Sequence, residues 1–113
     1  MAVLTIKRTF GPVAFAASAA NIYNNASALI YDIIKQIHVV NTTSGALWFS
    51  LFVSATTGTE TAGLEFFVEQ NVGAYSAFDW YGSLKLLSTD FLVGHDSTGT
   101  GLTITGMGEK YVV

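Results

Sequence analysis

The chain has no cysteine. That excludes a disulfide scaffold, a thiolate zinc site and a thiol nucleophile. Charge is scarce: 12% of residues are Asp, Glu, Lys or Arg, against roughly 25% in an average domain. Five Lys and Arg cannot build the basic stripe of an electrostatic nucleic-acid binder, so no nucleic-acid partner is expected. Long apolar runs are missing too. Polar residues interrupt both 27–40 and 46–55, and each falls short of the ~20 residues a spanning helix needs. Residues 1–10 lack a basic segment followed by a long apolar stretch, so neither a secretory signal nor a membrane partner is expected.

What is present is apolar and neutral. Half of the 113 residues are hydrophobic, fifteen are aromatic, and Thr, Ser, Asn and Gly fill the polar positions. Such hydrophobicity excludes a disordered chain, and the length fits one domain. Period-two patterning marks strands. Leu47, Phe49, Leu51 and Val53 alternate with Trp48, Ser50, Phe52 and Ser54. After a polar loop, Leu64, Phe66 and Val68 alternate with Glu65, Phe67 and Glu69. The expectation is one buried face built from Leu47, Phe49, Leu51, Val53, Leu64, Phe66 and Val68. Gly, Thr and Asn punctuation every 8–12 residues predicts a sandwich or barrel. Residues 14–32 read as helix or strand: Leu29, Ile30, Ile33, Ile34 and Ile37 sit at helical spacing. The β-branched residues and the following Asn41-Thr42-Thr43-Ser44-Gly45 turn favour strand over 33–41.

No reaction constellation emerges. His38 and His95 are the two imidazoles. His95 stands beside Asp96 and near Ser97, but neighbours on a strand point to opposite faces. Glu65 and Glu69 on one straight strand would lie about 13 Å apart, beyond the roughly 5–9.5 Å of glycosidase carboxylates. Asp90, Asp96 and Glu109 lack the spacing of a calcium loop, and no glycine cluster is followed by the Lys of a phosphate loop. The chain is therefore expected not to be an enzyme, and to have no cofactor and no metal. The informative feature is the aromatic stretch Tyr75, Phe78, Trp80 and Tyr81. One face enters a core and the other displays rings to a partner. Residues 1–12 read as an N-terminal arm or first strand ahead of a sandwich at 13–113, with Val3, Leu4 and Ile6 able to pair with a sheet edge. The candidate protein interface is therefore Val3, Leu4, Ile6, Tyr75, Trp80 and Tyr81.

The order of pieces resembles the small structural virion proteins of tailed bacteriophages. Residues 33–42, Ile-Ile-Lys-Gln-Ile-His-Val-Val-Asn-Thr, are similar to that family's extended strand ending in Asn-Thr, here followed by the aromatic 46–53. Residues 84–94, with Leu86, Asp90 and Leu92, and residues 102–109, with Ile104, Gly106 and Glu109, are similar to its later pieces. The resemblance spans roughly residues 23–113. It implies an all-β, single jelly-roll-like antiparallel sandwich of about eight strands on a capsid, neck or tail. The expected function is a capsid decoration or cement protein stabilising a phage head, or alternatively a neck or tail component or a carbohydrate- or receptor-binding module. The expected partners are the major capsid protein or another virion protein, and further copies of the chain, with a trimer favoured on symmetry grounds.

Overall fold

The computed structural model describes the backbone of residues 3–112 and the side chains of residues 8–112. Eight strands follow one another: β1 (Val3–Ala14), β2 (Ala20–Tyr23), β3 (Ile30–Asn41), β4 (Leu47–Ser54), β5 (Glu65–Val72), β6 (Ala77–Leu86), β7 (Phe91–Asp96) and β8 (Leu102–Val112). The first half of the chain pairs with the second in reverse order, β1 with β8, β2 with β7, β3 with β6 and β4 with β5, always antiparallel. The chain is thus one long hairpin with its tip between β4 and β5. Rolling it up pairs β3 also with β8, and β4 with β7. Two four-stranded sheets result, β1-β8-β3-β6 (sheet A) and β2-β7-β4-β5 (sheet B). This is the jelly roll.

The core lies between the sheets. Ile34, Ile37 and Val39 of β3 meet Phe49 and Leu51 of β4, Leu92 of β7 and Ile104 of β8, all fully buried. Residues 14–32 hold no helix: they contain the end of β1, the short β2 and the start of β3. A register shift between Ile34 and Gln36 turns Ile34 and Ile37 to the same side, and this bulge produces the helix-like spacing.

One expected core face is wrong in part. Phe49 and Leu51 are buried, Leu47, Val53 and Phe66 pack against the core, but Leu64 and Val68 are exposed. The cause is two register shifts between β4 and β5, with Glu69 at φ 44°. Each inserts a residue and reverses the alternation, so Phe67 joins Phe66 at the core and Val68 turns to solvent.

Two polar arrangements tie the layers and a third fixes a loop. Asn41, buried at the end of β3, donates to the carbonyls of Gly45 and Val72 and accepts from the Thr43 N–H and hydroxyl. Asp32 of β3 is fully buried and accepts from Lys110 Nζ of β8 and from the Tyr23 hydroxyl of β2, each at 2.8 Å. The 55–64 loop is held to sheet B through Asn21, which bonds Thr57 and Gly58, and through Glu60 against His95.

Candidate protein interface

The sandwich has two flanks. On one, Phe10 of β1 stacks on Tyr23 of β2 with centroids 5.2 Å apart. On the other, Phe66 meets Trp80 at 5.0 Å and Phe67 meets Phe78 at 5.4 Å, so rings from β5 and β6 close the gap between the sheets. Phe78 and Trp80 thus take the inner face of β6. Gly82 leaves room for the Trp80 indole, since a Cβ there would lie 2.5 Å from it. The alternate positions Asp79 and Tyr81 point outward, and Tyr81 is 71% exposed.

Tyr81 does not stand alone. Gln36 faces it across the β3–β6 pair, and His38 faces Asp79. Gln36 Nε2 donates to Asp79 Oδ1 at 3.0 Å and to the Tyr81 hydroxyl at 3.3 Å, while His38 Nδ1 lies 2.6 Å from the same Asp79 oxygen. The His38 hydrogen bond is the main cause that holds the Asp79 carboxyl below its ordinary pKa; burial opposes it, and the Gln36 hydrogen bond adds to the lowering. The result is an exposed ring beside a pre-oriented carboxylate, amide and imidazole on the outer face of sheet A.

The six sequence-derived interface residues fall in three places. Trp80 and Tyr81 are on β6, the first half-buried and the second displayed. Tyr75 precedes β6, in the turn from β5, and is 74% exposed. Its φ of 51° and its N–H bond to the Thr43 carbonyl fix that turn against the β3–β4 turn. A bulky residue in the left-handed region is uncommon and needs such support. Val3, Leu4 and Ile6 belong to β1, paired with β8 of the same chain at the opposite edge of sheet A from β6; their side chains lie outside the described residues. The strand continues beyond Gly11-Pro12 as far as Ala14. Gly11 is required there: its φ is +88°, and a Cβ would lie 2.4 Å from the Ile104 carbonyl oxygen.

The other chemistry candidates are dispersed. His95 meets Glu60 and the edge of Trp48, not Asp96 or Ser97. Asp96 is buried and accepts from the Thr98 and Gly99 N–H groups. Asp90 accepts from the Leu87 N–H and Glu109 from the Tyr111 hydroxyl. Among the described residues no three His, Asp or Glu side chains gather as a metal site. Sequence reasoning missed Gln36 and Asp79 as partners of Tyr81. Their signal is the β3–β6 register, which no local pattern carries.

The strand order defines an eight-stranded jelly-roll sandwich. No protein-family model and no curated protein matches the chain. Among solved structures it is similar to one of infectious bursal disease virus Gt strain, with TM-score 0.36, 11% identity and coverage of 92% of this chain and 28% of that one. It is also similar to two structures of a pentameric capsid protein isolated from metagenomic phage sequences. Their TM-scores are 0.32 and 0.30 at 14% and 17% identity, covering 87% of this chain and 58% and 61% of theirs. The chain spans less than two thirds of each of these structures' chains.

Proposed function

We propose that the chain is a structural virion protein of the decoration or cement kind. It binds the outside of an assembled shell through the major capsid protein or another virion protein, and works as an oligomer, a trimer on threefold positions, without catalysis. The observation that carries this reading is the displayed edge of β6, where Tyr81 stands over the Gln36–His38–Asp79 network. A half-anchored aromatic beside fixed hydrogen-bonding groups is the composition of a protein-binding hot spot. The low charge of the chain and its resemblance to small phage virion proteins at residues 33–42, 84–94 and 102–109 point the same way. That resemblance fits a neck or tail position as the alternative place in the particle.

A second reading uses the same side chains. A Tyr ring flanked by carboxylate, amide and imidazole also suits a sugar, with stacking on the ring and hydrogen bonds to hydroxyls, as in a carbohydrate- or receptor-binding module. Co-sedimentation with intact shells and a glycan array separate the two. A cement protein pellets with shells, loses that binding on Tyr81→Ala and leaves the array blank. Glycan binding without shell binding contradicts the proposal.

A further inference from the structure

One cross-strand row runs over the whole outer face of sheet A. Arg8 of β1 faces Met107 of β8, Met107 faces Gln36 of β3, and Gln36 faces Tyr81 of β6. Residues directly opposite in antiparallel strands share a face. The row therefore carries a guanidinium at one edge of the sheet and an exposed aromatic ring at the other. Arg8 is exposed and has no ion pair or hydrogen bond among the described residues. Asp79, two residues before Tyr81 on the same face, receives both its hydrogen bonds at Oδ1, which leaves Oδ2 open.

The two edges also match in direction and in form. Sheet A has four strands that alternate in direction, so β1 and β6 run opposite ways. A copy placed beside another therefore makes an antiparallel junction. Edge strands are normally blunted by short length, bulges or charge. β2 has four residues, and β5 is bulged twice and carries Glu65 and Glu69. β1 and β6 are bulged as well, three times and once, but Thr5 to Arg8 of β1 and Ala77 to Tyr81 of β6 run without a register shift and leave regular segments of four and five residues for pairing.

We propose that copies of this chain associate side to side, β6 of one copy pairing antiparallel with β1 of the next. Continuing the row at the ~4.8 Å strand spacing brings Arg8 of the second copy over Tyr81 of the first and within reach of Asp79 Oδ2. A guanidinium within about 6 Å of a ring centroid gains cation–π attraction, and the carboxylate adds an ion pair. The contact is heterologous, so it generates a ring when the rotation closes. The inference rests on the structural-protein reading and deepens it: it names the partner at the Tyr81 edge as a second copy, so that Tyr81→Ala would cost shell binding through loss of assembly.

Light scattering on the full chain tests it, since it reads self-association without any shell. Arg8→Glu and Asp79→Arg should each weaken association about tenfold or more, and the two together should associate more tightly than either alone, since the ion pair returns with its signs exchanged while the cation–π contact of Arg8 does not. Tyr81→Ala should weaken it as well, and added salt should weaken the wild type. Circular dichroism checks that each variant is folded, and Asp79→Asn, which keeps a hydrogen-bonding oxygen, replaces Asp79→Arg should the latter unfold; it too must weaken association. A wild type that stays monomeric at about 100 μM, an Arg8→Glu variant that associates normally, or a folded swap that stays dissociated overturns the proposal. If association follows the swap but shells are not bound, the interface stands and the decoration role fails.

Discussion

At the scale of single residues, the most consequential group is a carboxylate that no motif singles out. Asp32 has no exposed surface, and its partners Lys110 and Tyr23 come from two other strands. Removing it leaves the Lys110 ammonium, only partly exposed, without its counter-ion. Asp32→Ala should therefore cost about 3–5 kcal/mol in chemical denaturation. Burial alone would lower the Lys110 pKa, but the hydrogen bonds to Asp32 and Tyr23 outweigh it and the net shift is upward from 10.5. Tyr23 is also raised, by burial first and by Asp32 against the opposing Lys110 hydrogen bond. A raised pKa gives stability that is complete below the unfolded value and lost as pH rises through the folded one. The wild type should thus lose stability on the alkaline side above about pH 10, seen as a falling melting temperature, and Asp32→Ala should flatten that fall. Gly106 is the second such residue. It faces Phe10 across the β1–β8 pair, and a Cβ there would lie 2.1 Å from the ring. Gly106→Ala should displace Phe10 from Tyr23 and destabilise by about 1–3 kcal/mol. The role of Asp32 is not legible locally, because Asp32 and Lys110 are 78 positions apart and only the register joins them.

At the scale of elements, alternation located the strands and bulges decided which side chains they bury. β4 reads correctly because Phe49 and Leu51 lie on a regular stretch paired with β7. β5 does not, because its partnership with β4 slips twice. An inserted residue leaves no mark in a hydrophobicity pattern that is apolar on both sides, as at Phe66-Phe67-Val68. Likewise the spacing of Ile34 and Ile37 imitates a helix because a bulge lies between them. The contrast is measurable. Phe49→Ala should cost about 3–5 kcal/mol, whereas Val68→Ala, at 65% exposure, should stay within about 0.5 kcal/mol. Equal losses at both positions would mean that β5 is not bulged as described.

At the scale of the whole molecule, the composition and the short, regularly punctuated strands were enough to read a single all-β domain. Period-two patterns could not say which strands pair; the jelly roll came from the resemblance at residues 33–42, 84–94 and 102–109, and the strand order shows it. The placement of the candidate interface residues was legible only in part. Outward Tyr81 and inward Trp80 follow from alternation along β6, but the distance between β6 and the strand holding Val3, Leu4 and Ile6 follows from the sheet order β1-β8-β3-β6. Those two sets sit at opposite edges of one sheet, an arrangement that suits contact between neighbouring copies better than one patch on one copy. The central claim is that the chain coats a shell, and cryo-electron microscopy of particles assembled in cells that express it tests this most directly. The account predicts ordered sandwich density on the outer surface of the shell, in repeated copies, with the Tyr81 face of sheet A in contact with a neighbouring protein. Particles from which the chain is absent, or in which that face looks into open solvent in every copy, would contradict it.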